Sequence, residues 1–490
     1  MGEEQLSQNL IDPETLDNPG GEWTKGEKQE AKCRDAWAAI LFYAQLIAIF
    51  AVAGVLGIPA IQKNAGDGTT TDSTSFDDYS GLIYSSLIAG AFSIIFSSLS
   101  LFVMSCCPKL LIKISLLFSL VCSLLVVMAA FAYGNIIAGM FGVVFFALSL
   151  CYACMVWKRI PFAAANLNTG LTAVKGNAGV IVVAYCIIVA SYVYLCVWMV
   201  ALVGVYDKEG LCDTTTTPAN GSEGGTTTTC EANLSWGYFF LLLLSVFWSQ
   251  QVFQNTIHTV IAGVVSTWWF VPEDASSCCS VAIKDSFVRA TTSSFGSICF
   301  GSLLVAIIQT LRAMVENARN DGDNNGCEAF LLCLVDCLLS CLEDALEYFN
   351  KFAYIYVGMY GYSYIEAGKN VINLFKQRGW TIIVADNLIS NVLTLFAFII
   401  GMLTGCVGLV MNEIEKSWFE DYGGAASAFG FAFLIGIVIS MITLSVVDSS
   451  VNTVLVCFAE APAEFEQNYP ELSSEMRDAW REVYPAECGF

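Results

Sequence analysis

Hydrophobic positions in this chain fall in long unbroken blocks, not in the alternation of a half-buried strand or the narrow stripe of a surface helix. The blocks lie at about residues 36–61, 81–105, 110–133, 135–157, 179–205, 237–270, 293–317, 383–411 and 426–458. Each is long enough to cross roughly 30 Å of hydrocarbon as a helix. Residues 327–349 and 352–375 are also apolar, but they carry Asp336, Glu343, Glu366 and Lys369. Charge is costly in hydrocarbon, so one of these two pieces is expected to span and the other to lie along the interface. The pattern predicts an all-α polytopic membrane protein of about ten transmembrane helices.

Polar segments divide the chain into an acidic N-terminal tail (1–35), a transmembrane domain (36–458) and an acidic C-terminal tail (459–490). With the N-terminus in the cytosol, the loops 62–80, 206–236 and 412–425 face the exterior and hold only Lys63, Lys208 and Lys416. Sixteen of the 22 basic residues then fall on the cytosolic side. Cytoplasmic loops retain Lys and Arg, so both termini are expected inside. The first 35 residues lack a basic start, an apolar stretch and a small-residue cleavage site, and the first helix is expected to stay as an anchor.

Composition narrows the function. Hydrophobic residues make up 56 % of the chain and charged ones 13 %, with a mean hydropathy of +0.63, which leaves no surface for a soluble protein. The net charge is −22, with both tails heavily acidic and read as solvated, which excludes nucleic acid as a partner. His258 is the sole histidine, which excludes a multi-histidine metal site, and no Gly-Lys-Ser/Thr phosphate loop is present. No cofactor, no metal and no enzymatic activity are expected. Transport, a channel, lipid handling or a membrane scaffold remain.

The exterior loop 206–236 contains Cys212 and Cys230 around Thr-rich runs, together with the sequon Asn220-Gly221-Ser222. Two cysteines in an exoplasmic loop are expected to form a disulfide, Asn220 is the expected glycosylation acceptor, and the Thr runs read as flexible linker. Within the membrane, polar residues are the informative ones. The sixth block places Trp248, Gln251, Asn255 and His258 at spacings of three and four, on one helix face, with Gln254 and Thr259 beside it. That face either bonds another helix or lines a pathway. In the fifth block Tyr194 and Trp198 share a face, and aromatic faces attract quaternary ammonium groups. Trp268 and Trp269 read as interfacial anchors. Asp386 opens the ninth block as a cap, a counter-charge or a proton site.

Further along the chain, SFGSICFGSLLVAIIQTLRAMVE (294–316) and FNKFAYIYVGMYGYSYIEAGKNVINLF (349–375) resemble the C-terminal half of the choline transporter-like family, solute carrier family forty-four. The pattern from Trp248 through Asn255 to His258, followed by AGVVSTWWF, is similar to the family's fungal, plant and protist branch, and the short first exterior loop agrees. The likeness extends over about residues 80–460. It implies a ten-helix plasma-membrane transporter in the lipid bilayer with cytosolic termini, moving choline and ethanolamine by facilitated diffusion or proton exchange. A shared scaffold does not fix the cargo, so a non-transporting scaffold or a lipid-handling or trafficking protein is the alternative. For a transporter, the residues place choline near mid-membrane against Trp248, Tyr194 and Trp198, with Gln251 on the same face and Asn255 taking the hydroxyl. His258, nearer the cytosol, is expected to gate or relay protons, with Asp386 as the next such site.

Overall fold

The computed structural model describes residues 26, 28–60, 76–208, 212–216, 226–230, 236–320, 326–377, 388–419 and 423–483. The first helices are α1 (Ala36–Val52, continued by a π turn at Ala53–Gly57), α2 (Phe76–Cys106), α3 (Pro108–Ala132), α4 (Ile136–Val156), α5 (Ile160–Gly176) and α6 (Gly179–Lys208). A ribbon of β1 (Cys212–Thr216) and β2 (Thr226–Cys230) follows. Next come α7 (Trp236–Phe270), α8 (Val281–Thr291), α9 (Phe295–Asn320), α10 (Gly326–Tyr360) and α11 (Tyr364–Gln377). The chain closes with α12 (Leu388–Ile414), α13 (Ala425–Glu460), α14 (Pro462–Asn468) and α15 (Pro470–Val483).

Eight stretches among the described residues are long and apolar enough to cross a membrane: α1, α2, α3, α4 continued into α5, α6, α9, α12 and α13. The chain is therefore a multi-pass, all-α membrane protein. Helices α7 and α10, at 35 residues each, are longer than most of these, about 50 Å at 1.5 Å per residue. What separates them from the eight is polarity along their length, and that polarity turns out to line a cavity.

Helix α10 resolves the charged stretch 327–375. It is one continuous helix to Tyr360, and the break falls at Gly361, whose φ of +80° suits a residue without a Cβ. Residues 364–377 form the separate amphipathic helix α11, which buries Tyr364, Val371 and Leu374. Two of the charges in α10 are neutralised locally: Arg312 of α9 bonds Asp336 at 3.2 Å and also pairs with Glu343.

Helices α12 and α13 pack against one another along small residues. A Cβ at Gly436 would stand 2.7 Å from the Thr404 side chain, and one at Gly405 would stand 2.6 Å from the Phe429 ring. Close backbone approach of this kind drives association where lipid removes the hydrophobic incentive.

The C-terminal segment is not a solvated tail over residues 459–483. Helices α14 and α15 fold back beneath α7 and α5, and Phe465, Met476 and Trp480 are all fully buried. Trp269 stacks on Phe465 at 3.9 Å, and Trp268 stacks on Tyr469 at 4.3 Å. The two tryptophans therefore hold the C-terminal helices and are not anchors in lipid headgroups. Burial pushes the Tyr469 phenol up to about 12, so it stays a donor to the Trp268 carbonyl, 3.3 Å away.

The Thr-rich runs are not linker either. They pair antiparallel, with Cys212 opposite Cys230, Asp213 opposite Thr229, and Thr214, Thr215 and Thr216 opposite Thr228, Thr227 and Thr226. Threonine is β-branched and favours the extended backbone. Asn220 and Asp386 lie outside the described residues.

Candidate functional site

Helices α6, α7, α10 and α13 enclose a cavity of about 910 Å³. Its lining residues come from the middle of all four helices: 188–195 of α6, 250–258 of α7, 344–351 of α10 and 438–449 of α13. Neutral polar groups come chiefly from α7, with Gln250, Gln251, Gln254 and Asn255 on the wall. Rings come from Tyr192, Phe253 and Tyr348. Charges come from Asp344, Glu347 and Lys351 of α10 and from Asp448 of α13. Three carboxylates thus face one ammonium, and that ammonium is already engaged: Lys351 Nζ lies 3.4 Å from Asp448 Oδ2. The residual charge of the wall is negative, in surroundings where water screens it less than at an open surface.

Two contacts fix the neutral side. The Ser191 hydroxyl donates to Gln250 Oε1 at 2.7 Å, tying α6 to α7. The amide nitrogen of Gln250 is buried and has no hydrogen-bond partner in the protein, a donor left for whatever occupies the cavity. Asn255 Nδ2 donates to Ser302 Oγ of α9 at 3.0 Å, so the same face of α7 that lines the cavity also bonds a neighbouring helix.

His258 closes the floor. Its Nε2 lies 2.7 Å from the backbone carbonyl of Lys351, and its Nδ1 lies 2.7 Å from Ser449 Oγ. A carbonyl only accepts, so Nε2 carries the proton, and in the neutral ring Nδ1 accepts from the serine hydroxyl. One imidazole thereby fastens α7 to both α10 and α13. Beyond it the three helices are sealed: Ile261, Val265, Val357, Val454 and Phe458 are at most 2 % exposed. On the other side of it, Tyr348 and Met441 remain 45 % and 57 % exposed. The cavity is therefore closed toward the end that carries the folded C-terminal helices.

The N-terminal segment covers that same end. Gly26 N–H donates to Glu460 Oε1 at 2.8 Å, and Gln29 N–H donates to the Tyr360 carbonyl at 2.8 Å. Asp35 Oδ2 accepts from the Ser297 hydroxyl at 2.7 Å and from Tyr364 N–H at 3.0 Å. The described part of the acidic N-terminal tail is thus docked across the ends of α9, α10, α11 and α13.

Of the residues singled out from the sequence, Gln251, Asn255 and His258 are brought together at the cavity. Trp248, Tyr194 and Trp198 are not among its lining residues. Trp248 is 3 % exposed, donates from Nε1 to the Cys299 carbonyl at 3.0 Å, and meets Phe42 edge to face. Tyr194 donates to the Ser245 carbonyl at 3.1 Å, and Trp198 Nε1 donates to Ser245 Oγ at 2.9 Å. Each ring thus has its polar handle satisfied within a helix contact, the usual condition for burying Tyr or Trp. Asp344, Glu347, Lys351 and Asp448 escaped the sequence reading. Their signal was present: Asp344, Glu347 and Lys351 recur at three and four on one helix face, and Asp448 is the sole charge inside an otherwise apolar span until Glu460.

Residues 140–463 match the family model described as plasma-membrane choline transporter. Among curated relatives, the Protein PNS1 of Gibberella zeae is 28 % identical over 453 residues, covering 91 % of this chain and 82 % of the relative. The Protein PNS1 of Cryptococcus neoformans is 29 % identical over 485 residues, covering 94 % of this chain and 84 % of the relative. All four cavity-forming helices fall within the matched region.

Proposed function

We propose that this chain, which belongs to the plasma-membrane choline transporter family, carries choline and ethanolamine across the plasma membrane through the cavity between α6, α7, α10 and α13. The observation that carries the reading is the wall itself: three carboxylates against one ammonium, with Tyr348 and Phe253 beside them, at the mid-length of four long helices. A quaternary ammonium offers no hydrogen bond and is held by negative charge and ring faces, while the hydroxyl of an amino alcohol suits the unpartnered amide of Gln250. A cavity of about 910 Å³ has room for so small a cargo with water around it.

On this reading α7 and α10 join the eight apolar spans as spanning helices, making ten, and both termini lie in the cytosol. The seal below His258 is then the inner gate, and the structure is the outward-facing state of a facilitated or proton-exchanging carrier. His258 is the tie that closes that gate. Radiolabelled choline uptake into vesicles that contain only this protein tests the proposal. Saturable uptake, inhibited by ethanolamine, is expected; vesicles no more permeable than empty ones would sink it.

A further inference from the structure

We propose that the Lys351–Asp448 pair is a charge lock on the cavity floor, and that a cationic cargo opens it by replacing the Lys351 ammonium on Asp448. This inference rests on the reading of the cavity as an organic-cation site. The Lys351 and Asp448 side chains are 29 % and 33 % exposed and stand 3.4 Å apart, so the pair is reachable from the cavity and loosely closed. A tight charge-assisted bond would be shorter, about 2.7–2.9 Å. Asp448 keeps a second partner on its own helix, Asn452 Nδ2 at 3.0 Å, which holds the carboxylate in place whether or not Lys351 is there.

Lys351 fastens α10 twice. Its ammonium reaches Asp448 of α13, and its carbonyl receives His258 of α7. Removing the ammonium from Asp448 takes away one of the two polar ties at the floor and leaves the imidazole bridge above the apolar seal. The displaced lysine has somewhere to go, because Glu347 lies one turn back on α10 and also lines the cavity. The exchange conserves charge: the cargo cation neutralises Asp448, and Lys351 neutralises Glu347. A neutral alcohol of the same shape cannot perform it, since it brings no charge to Asp448. The lock thus selects cargo by charge and couples that selection to the floor. Lys351 acts as an internal competitor, so it weakens apparent affinity in proportion to the time it occupies the carboxylate.

The test uses the full chain in proteoliposomes, after thermal melts have established that each variant folds. The probes are radiolabelled choline and its carbon isostere, in which carbon replaces the quaternary nitrogen. Lys351→Met is expected to lower the half-saturation concentration for choline by about three- to tenfold, because the competitor is gone. Asp448→Asn is expected to raise it by about tenfold or more and to let the isostere compete as well as choline does. If Lys351→Met misfolds, Lys351→Gln removes the same charge and carries the same prediction. A half-saturation that rises or stays constant when Lys351 loses its charge overturns the lock and leaves the pair a strut. A parent that takes up no choline overturns the cargo reading, and the lock with it; the parent assay therefore separates the two failures.

Discussion

At the scale of single residues, the bonds made by two side chains decide what each can do. His258 donates to the Lys351 carbonyl and accepts from Ser449. Glutamine offers the same pair of functions, so His258→Gln should keep both fold and uptake. Leucine fills the volume but strands two buried partners, at a cost of about 1–3 kcal/mol for each. His258→Leu is therefore expected to lower the melting temperature and to raise the leak of choline from loaded vesicles. Equal melting of the two variants would show that the bonds do not hold the floor. Trp248 provides the opposite case. Its ring packs on Phe42 and its nitrogen bonds Cys299, away from the cavity. Trp248→Leu should cost about 2–4 kcal/mol of stability through lost packing and a stranded carbonyl, while leaving the half-saturation for choline near the parent's. Tyr348→Leu should do the reverse, since Tyr348 lines the cavity and is 45 % exposed. Choline uptake curves set beside thermal melts separate the two.

At the scale of elements, long apolar blocks were legible because hydrocarbon demands them, and the apolar core of every predicted span became a helix or part of one among the described residues. The polar face of α7 was legible for the same reason. What that face turns toward was not, because a stripe of Gln, Asn and His looks alike whether it meets Ser302 on α9 or an open cavity. Trp268 and Trp269 failed for a related reason. Their position at the end of a span fits a headgroup anchor until Phe465 and Tyr469 are seen stacked on them, and those lie some 200 residues away. The acidic composition of residues 459–490 also hid Trp480, which is fully buried between Phe162 and Phe458. Trp480→Ala should cost about 3–5 kcal/mol and free α14 and α15 for cleavage by added protease; a fragment pattern identical to the parent's would show that the docking is marginal. In the ribbon, directly opposed antiparallel residues have Cα atoms roughly 4.5–5.5 Å apart, within the range a disulfide needs. The register sets Cys212 opposite Cys230, and whether the thiols are joined is a question for chemistry. Peptide mapping under non-reducing conditions should recover the two linked, and alkylation of either thiol in untreated protein would exclude it.

At the scale of the whole molecule, the end that carries Gly26 and the helices α14 and α15 is closed in two layers. The inner layer is the His258 floor with the buried rings of α10 below it, including Tyr354, Tyr356 and Tyr360. The outer layer is the N-terminal segment, bonded from Gly26 to Glu460 and from Gln29 to Tyr360, with Arg34 3.7 Å from Glu366. Glu460 also receives the Tyr360 hydroxyl, so the same carboxylate joins the last residue of α13, the end of α10 and the incoming chain. On the proposed reading, an alternating carrier with this end in the cytosol, this layer has to part whenever the cavity opens inward. The bonds that hold it are mostly single backbone N–H donations, each worth about 0.5–1.5 kcal/mol net to a carbonyl and about 1.5–3 kcal/mol to a carboxylate, so a few of them bias the equilibrium without locking it. Deleting residues 1–30 removes the donors at Gly26 and Gln29 and leaves Asp35 in place to receive Ser297 and Tyr364. The inward-facing population should then rise. Cys457, fully buried one turn from Glu460, provides the readout. Its alkylation by a membrane-permeant reagent, followed peptide by peptide, is expected to increase severalfold in the truncated chain, while that of the exposed Cys333 stays constant. Choline added in excess should raise Cys457 labelling in the parent in the same direction, because a cation that releases Lys351 from Asp448 loosens the layer that the N-terminal segment covers. Labelling of Cys457 that responds to neither the truncation nor the cargo would show that neither the N-terminal segment nor the lock controls access to this end.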